Sequence, residues 1–384
     1  MAIAVTAPDA APARRFDRVA AFGALLAFAG ATLLPFVEFR ANRIVAGATH
    51  GLSAGGAAGF ALAALAALSL AAAFAPARSR ASLELAGASA MTAVLAWALG
   101  YAASTLTRSA PAIARVSVGG GPWLAGAGVA IVWFAALQAR PGRAVRWAAA
   151  GVAALAWAAA AAWGGLARLS LVMEYRVQAD AFWSAVATHL SLVGVSLGIA
   201  VLVGVPLGVA AARVRWVRSV LLPVVGVIQT IPSLALLGLL VVPLAVLGLP
   251  GIGPLPATIA LTAYALLPVV RDTYIGLAGV DPAAVDAGRG MGMTPTQLLL
   301  RVEAPLALPL MVEGVRSATV MIIGIAAVVA FVGVGTLGVL VFSGWGYQAD
   351  DLILLGAVPM VLLALVADAG LRWLGRALTS PGVR

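Results

Sequence analysis

Long apolar runs alternate along this chain with short polar breaks, and each run is close to the length that crosses a bilayer. A transmembrane helix needs about 20 consecutive, mainly apolar residues. The ten runs that approach this length are 19–36, 52–74, 83–106, 123–137, 145–166, 186–212, 220–247, 257–270, 309–342 and 352–373. We therefore predict an all-α polytopic membrane protein with about ten transmembrane helices.

The polar stretch 168–184 separates two halves of different composition. Ala dominates the spans before it, whereas Val, Leu, Gly and Pro dominate the spans after it. We predict a cytoplasmic tail at 1–18, a five-helix membrane extension at 19–167, an extracytoplasmic connector at 168–184 and a second membrane domain at 185–384. The run 309–342 is too long for one simple span, so we expect part of it to be an amphipathic approach or a Gly-rich re-entrant segment.

The charged residues are few and are unevenly divided between alternate breaks. Hydrophobic residues make up 63% of the chain and charged residues 10%, a balance that excludes a soluble globular domain and a disordered chain. With the N-terminus inside, 18 of the 24 Arg residues fall inside and six outside, as the positive-inside rule predicts. The six outside are Arg40, Arg43, Arg108, Arg115, Arg168 and Arg176. We therefore expect both termini to be cytoplasmic.

The composition excludes several kinds of catalytic and cofactor site. All basic residues are Arg, so the chain lacks the Lys with which a P-loop ATPase holds its phosphates. It also lacks Cys, and its two His residues, His50 and His189, lie far apart in sequence. We therefore expect no catalytic residue, no metal site and no cofactor in this chain, and we do not predict an enzyme.

The longest predicted cytoplasmic break, 271–308, has the pattern of a folded hairpin. Asp281-Pro282 predicts a helix start, because Asp caps a helix N-terminus and Pro fits the first turn. Gly290-Met291-Gly292 should end this helix, and Thr294-Pro295 should begin a second helix that ends before Pro305. A folded hairpin between two spans suits docking to another protein better than it suits a simple connection.

This hairpin resembles the cytoplasmic loop in permease subunits of ABC importers. Those loops carry E-A-A, three residues, Gly, nine residues and I-x-L-P, and the spacing is matched by Asp286-Ala287-Gly288, Gly292 and Val302-Glu303-Ala304-Pro305. Asp replaces Glu, Ala304 replaces Leu, and Gly288 replaces the second Ala, which should loosen the first helix by up to about 1 kcal/mol. The resemblance implies an ATPase-coupling loop that contains Asp286, Ala287, Gly288, Gly292, Val302 and Pro305.

Three further stretches resemble one branch of that superfamily. The runs 229–238 (QTIPSLALLG), 264–268 (YALLP) and 280–283 (VDPA) are similar to permeases for glycine betaine, choline and related osmoprotectants. The resemblance covers about 181–380, and some osmoprotectant permeases look similar in carrying extra spans before this core. It implies a type I ABC importer permease core in the C-terminal half, in the bacterial inner membrane, that moves a compatible solute into the cell.

The same resemblance implies the partners of the chain. They are cytoplasmic ABC ATPase subunits that bind ATP and Mg, an extracytoplasmic solute-binding protein, and a second permease copy or a related permease. ATP hydrolysis is then expected in a separate subunit.

Polar and helix-breaking residues inside the apolar spans mark a candidate translocation pathway, since such residues are costly in lipid and usually face a cavity. They are Gln229, Thr230, Pro232 and Ser233, with Thr262 and Tyr264 on the next span. We expect a quaternary ammonium solute to pass Tyr264 by cation–π contact.

Two other classes of function stay open at this point. An ion-coupled secondary transporter of a small solute needs buried carboxylates in its spans, and only Glu84, Glu313 and Asp368 lie near the bilayer. Glu313 lies one helical turn from Arg316, and we expect these two to pair with each other. The other class is a membrane receptor or scaffold whose hairpin recruits a signalling partner.

Overall fold

The structure is a computed structural model that describes residues 16–42, 45–139 and 141–378. These residues form two compact units, which divide between Val177 and Gln178. Both units consist mainly of α-helices, which confirms the predicted all-α class apart from one small sheet. Outside the described residues lie most of the predicted tail at 1–18 and the topology residues Arg14, Arg15, Arg43, Arg140 and Arg384.

The first unit packs its helices through small side chains. Its helices, within the described residues, are α1 (Arg18–Leu33), α2 (Gly56–Ala72), α3 (Ala77–Leu106), α4 (Gly120–Gln138), α5 (Arg143–Ala162) and α6 (Ser170–Val177). Asp17 begins α1, because its carboxylate accepts hydrogen bonds from the Val19 and Ala20 backbone amides at 2.9 and 3.0 Å. Gly23 and Gly30 lie directly against the backbone of α4, where a Cβ atom would collide. Such small residues let helices approach closely in lipid.

An antiparallel sheet of three strands joins two loops that the charge pattern places outside. Its strands are β1 (Val37–Arg40), β2 (Ala48–His50) and β3 (Arg115–Val118), in the order β2-β1-β3. Val37 pairs with His50 on one side and with Val118 on the other, and the Val37 side chain is buried in the core of this unit. The sequence analysis did not predict the sheet, because strands of three or four residues are too short to show a period of two.

The second unit is built around one central helix. Its helices, within the described residues, are α7 (Ala179–Arg213), α8 (Arg215–Thr230), α9 (Ser233–Val246), α10 (Pro254–Ala278), α11 (Pro282–Gly290), α12 (Pro295–Leu298), α13 (Ala304–Ile325), α14 (Gly338–Gly346) and α15 (Asp350–Leu378). Helix α10 packs against both α7 and α13. Close contact is possible because Gly208 of α7 faces Thr273 of α10, and Gly314 of α13 faces the Pro268 carbonyl.

The number of spans is close to the predicted ten. Among the described residues, eight helices are long and apolar enough to cross a membrane, or nine if the bent pair α8–α9 counts as one span, while α1 is a shorter apolar helix of 16 residues. The predicted span at 220–247 is broken in the middle, because α8 and α9 meet at an angle of 107°. Pro232 follows the bend, and it holds Ile231 in an extended conformation with φ −73° and ψ 126°.

The long run 309–342 is also divided, as its length predicted. Helix α13 ends at Ile325, a 3₁₀ segment follows at Val328–Val332, and α14 begins at Gly338. Gly333 ends the 3₁₀ segment with φ +80°, a conformation that favours glycine. The hydroxyl of Thr336 then donates to the Ala326 carbonyl at 2.9 Å, which ties the turn back to the end of α13.

Candidate functional site: the hairpin and the broken span

The hairpin begins with the caps that the sequence predicted. The Asp281 carboxylate accepts a hydrogen bond of 2.8 Å from the Ala283 backbone amide at the start of α11. Gly292 turns the chain with φ +78°, in a position that other residues adopt only with strain. Thr294 then starts α12 with a reciprocal capping box, in which its side chain and that of Gln297 each accept from the other residue's backbone amide.

The predicted end of the second hairpin helix before Pro305 was wrong. The helical backbone continues from Pro295 through a π-helical turn at Leu299–Glu303 into α13. Proline removes a backbone donor and its ring clashes with the carbonyl four residues earlier. The wider π turn, in which the Ala304 amide bonds the Leu299 carbonyl, accommodates Pro305 without a break.

Some of the predicted coupling residues face the opposite arm of the hairpin, and others face away from it. Gly288 is buried, and a Cβ atom there would lie 2.6 Å from Leu298 Cδ1, so its lack of a side chain allows the two arms of the hairpin to meet. Val302 is half-buried beside Gly288. Asp286 points outward and pairs at 3.3 Å with Arg289.

The outward side of the hairpin also exposes apolar groups. Met291 is 69% exposed and Leu300 is 65% exposed, while Ala287 is exposed beside Asp286 on α11. Exposed apolar groups next to polar ones are typical of protein-docking surfaces. The coupling role of these residues stays a prediction.

Two contacts hold the hairpin at its base, and the sequence analysis missed both. Arg213, the last residue of α7, forms a two-pronged ion pair with Glu303 of the π turn. Arg218 of α8 donates a hydrogen bond of 3.1 Å to the Tyr274 hydroxyl of α10. The positive-inside pattern accounts for both Arg residues as topology determinants, and the only sequence signal for the first contact is an acid two residues before Pro305.

The broken span is fixed at its bend by two hydrogen bonds to α10. The Gln229 side-chain amide donates to the Tyr264 backbone carbonyl at 3.0 Å, and the Tyr264 hydroxyl donates to the Ile231 carbonyl. Tyr264 is only 4% exposed, so no face of its ring is open to a solute in this conformation. The cation–π role of Tyr264 stays a prediction. What its contacts show is that it stabilises the bend between α8 and α9.

The other pathway candidates lie around the same bend. Thr230 and Pro232 are exposed on this chain and Ser233 is half-buried, while the Thr230 hydroxyl bonds the Val227 carbonyl at 2.7 Å. Thr262 lies on α10, where its hydroxyl donates to the Ser196 carbonyl at 3.4 Å. The structure therefore brings Gln229, Thr230, Pro232, Ser233 and Tyr264 together, and their part in translocation stays a prediction.

The acids near the bilayer fall into two environments. Arg316 bonds both Glu313 and Asp368, which confirms the predicted Glu313–Arg316 pair and ties α13 to α15. Arg372 adds a second cation on Asp368. Glu84 of α3 is 1% exposed, and neither of its carboxyl oxygens has a hydrogen-bond partner within the described residues.

These helices, the broken span and the folded hairpin define a polytopic membrane protein of the permease class. Residues 204–380 match the family described as "Binding-protein-dependent transport system inner membrane component", and residues 17–172 match "ABC transporter permease YehY, N-terminal domain". The chain belongs to the binding-protein-dependent inner-membrane components, the permease subunits of ABC importers.

Curated relatives share about half of this chain. The osmoprotectant import permease protein OsmW of Salmonella typhimurium is 42% identical over 51% of this chain and 91% of its own length. The carnitine transport permease protein OpuCB of Listeria monocytogenes is 43% identical over 51% and 86%, and the choline transport system permease protein OpuBB of Bacillus subtilis is 40% identical over the same shares. The resemblance seen in the sequence is therefore confirmed, and these relatives give no support to an ion-coupled carrier.

Proposed function

We propose that this permease subunit moves a compatible solute such as glycine betaine or choline into the cell. The observation that carries the proposal is the match to osmoprotectant, carnitine and choline permeases over most of their own lengths. Each of those proteins is named for a small osmoprotectant or a quaternary ammonium solute.

The energy source in this proposal is a pair of cytoplasmic ATPase subunits. The chain contains no Lys for a phosphate-binding loop, so ATP and Mg belong to the partner. Asp286 and Ala287 on α11, with Met291 directly after it, offer an exposed polar and apolar surface for docking. Gly288 and Gly292 hold that surface in its hairpin shape, Gly288 by close packing and Gly292 by its positive φ.

The conformational step follows from the continuity of the hairpin with the membrane helices. The second arm passes into α13 as one helical segment, Pro295–Ile325, and the first arm follows α10 after a short turn. Closure of the ATPase dimer therefore shifts two adjacent spans and changes the population of inward- and outward-facing states. Gln229, Thr230, Pro232 and Ser233 line the pathway at the bend, Tyr264 joins them when the span changes conformation, and a second copy or a related permease supplies the other half.

The topology in this proposal follows the charge pattern. Both termini and the hairpin are cytoplasmic, and the sheet of the first unit is on the outer side, where a solute-binding protein delivers its cargo.

The test is to purify the tagged chain from its host in mild detergent, identify what co-purifies, and reconstitute the complex in vesicles. We expect a P-loop ATPase and a solute-binding protein, and uptake of labelled glycine betaine or choline that requires ATP. The variant Asp286→Lys should remain in the membrane but lose the ATPase, whereas Arg215→Gln, an exposed change outside the hairpin, should keep it. Uptake driven by an ion gradient without ATP would overturn the proposal in favour of a secondary transporter.

A further inference from the structure

The corner between α7 and α8 lies at the base of the hairpin. Helix α7 ends at Arg213, Val214 is extended with φ −121° and ψ 111°, and α8 begins at Arg215. The Val214 backbone remains bonded on both sides, since its amide donates to Ala210 and its carbonyl accepts from Arg218. The corner is thus a fixed element rather than a loose loop.

One side of this corner holds the outgoing arm of the hairpin. The two terminal nitrogens of the Arg213 guanidinium bond the two carboxylate oxygens of Glu303, which is the planar two-pronged geometry that orients both groups. Glu303 is 4% exposed and closes the π turn that leads into α13. The Arg213 side chain is 42% exposed, so the pair is only partly buried, but its carboxylate is the buried member and would be costly to leave without a cation.

The other side of the corner holds the end of α10, which leads into the hairpin. The Arg218 guanidinium donates to the Tyr274 hydroxyl at 3.1 Å, and its central carbon lies 5.6 Å from the centre of the Tyr274 ring. It therefore makes both a hydrogen bond and a cation–π contact with one side chain. Tyr274 lies one turn before α10 ends at Ala278, directly ahead of the hairpin.

The helix that carries Arg218 also carries the bend. Helix α8 runs from this clamp to Thr230, and Gln229 at its far end is bonded to α10. One helix, α8, therefore connects the contacts at the base of the hairpin with the bend of the broken span.

We propose that Arg213 and Arg218 are positioning residues that clamp the α7–α8 corner to the outgoing arm of the hairpin and to the end of α10 that leads into it, and that they transmit the hairpin's movement to the broken span. The proposal rests on the proposed function, because it takes the hairpin as the part that the ATPase moves. It assigns a role to Arg213, Arg218 and Tyr274, which lie outside the motif by which the hairpin resembles other permeases, and to Glu303, which occupies the variable position of that motif.

The experiment uses the whole complex in vesicles and measures ATP hydrolysis, solute uptake and the position of α9 in the same preparations. The chain has no Cys, so Gly238→Cys supplies its one thiol, at an exposed α9 position where a Cβ atom meets nothing within 4 Å. The rate at which a membrane-impermeant maleimide modifies this thiol is compared without nucleotide and after trapping with ATP and vanadate. When Arg213, Arg218 and their partners are unchanged, we expect the modification rate without nucleotide to differ from the rate after trapping.

Two sets of substitutions weaken the clamp without leaving a buried charge unpaired, and the combined variant carries both. Arg213→Gln with Glu303→Gln neutralises both members of the first contact, and Tyr274→Phe removes only the hydroxyl of the second. Because coupling between sites is commonly 5- to 150-fold, we expect uptake per ATP to fall about tenfold in the combined variant, with ATP hydrolysis changed less than about twofold. The nucleotide-dependent difference in Gly238→Cys modification should also disappear. Arg215→Gln is the matched control, and Arg213→Glu with Glu303→Arg should restore part of the coupling.

Three results would overturn the clamp. Uptake per ATP unchanged in the combined variant would show that the contacts transmit nothing. Loss of the ATPase from that variant, with the control intact, would show that the contacts only build the docking surface. Failure of the charge-reversed pair to restore any coupling would show that the ion pair is not what transmits the movement. If no ATPase co-purifies with the unaltered chain, the proposed function itself has failed. Failure of the clamp alone leaves the ATPase bound to the unaltered chain.

Discussion

The side-chain amide of Gln229 donates a hydrogen bond of 3.0 Å to the backbone carbonyl of Tyr264, while the Tyr264 hydroxyl bonds the carbonyl of Ile231 just beyond the end of the same helix. Two hydrogen bonds between α10 and the residues at the end of α8 thus stabilise the bend between α8 and α9. Helix ends leave carbonyl groups without intrahelical partners, and in an apolar environment such groups are costly. This reciprocal pair makes a 107° break possible inside an apolar segment.

The first prediction concerns the hydroxyl at that bend. Tyr264→Phe keeps the buried ring but leaves the Ile231 carbonyl without its donor, which should cost about 1–3 kcal/mol. We expect a lower unfolding temperature of the purified chain in detergent and slower uptake. Tyr347→Phe, at a residue 72% exposed, should behave like the unaltered chain. Equal unfolding temperatures for the two variants would show that the Tyr264 hydroxyl does not stabilise the bend.

The second prediction concerns the glycine that departs from the pattern of related loops. Gly288→Ala gains about 1 kcal/mol of helix propensity but brings a methyl group to 2.6 Å from Leu298 Cδ1. Overpacking typically costs about 1–3 kcal/mol, but Leu298 Cδ1 is the free end of a flexible side chain and the propensity gain offsets part of the cost. The single variant should therefore lose at most about 1 kcal/mol net, and Gly288→Ala with Leu298→Val should recover it. Hydrogen exchange of the hairpin amides measures both. Equal exchange in the single and double variants would contradict this packing.

The third prediction concerns the turn of the hairpin. Gly292 has φ +78°, so Gly292→Ala should cost about 1–2 kcal/mol of left-handed backbone strain and speed local hydrogen exchange roughly 5- to 30-fold. Gly290→Ala is the matched control, because its Cβ atom meets nothing within 4 Å and its φ is not positive. Similar exchange in the two variants would mean that the turn tolerates a side chain.

The fourth prediction concerns the ionic contact between α13 and α15. Arg316→Gln removes the cation shared by Glu313 and Asp368, whose side chains are 43% and 17% exposed. Because the site is only partly buried, we expect a loss of about 1–3 kcal/mol rather than the larger cost of a fully buried pair. Arg372→Gln should cost less, since Asp368 keeps Arg316. Thermal unfolding of both variants in detergent measures the two losses of stability. A larger loss in Arg372→Gln than in Arg316→Gln would contradict the prediction.

Much of the hairpin could be predicted from sequence because its signals are local. Asp281, Gly292 and Thr294 act within a few residues of themselves, and each forms the cap or turn that its type predicts. The continuation through Pro305 could not be predicted in this way, since a π turn has no comparable signal. The contacts of Arg213 and Arg218 were also missed, because their partners lie 90 and 56 residues away and the positive-inside rule already accounted for both charges.

The last prediction tests whether the buried acid of the first unit takes part in uptake, as it would in an ion-coupled carrier. A carrier needs an ionisable group in its spans, and Glu84 is the one acid near the bilayer that is buried without a hydrogen-bond partner within the described residues. In an ATP-driven importer this carboxyl has no coupling task, and a neutral amide of the same size is less costly to bury than a carboxylate. We therefore expect Glu84→Gln to retain ATP-driven uptake and to change stability by less than about 1 kcal/mol. Uptake and unfolding temperature in the reconstituted complex test this, with Glu38→Gln at the half-buried β1 site as the matched change. Loss of uptake in Glu84→Gln alone, with normal folding and ATPase recovery, would show that the first unit takes part in coupling.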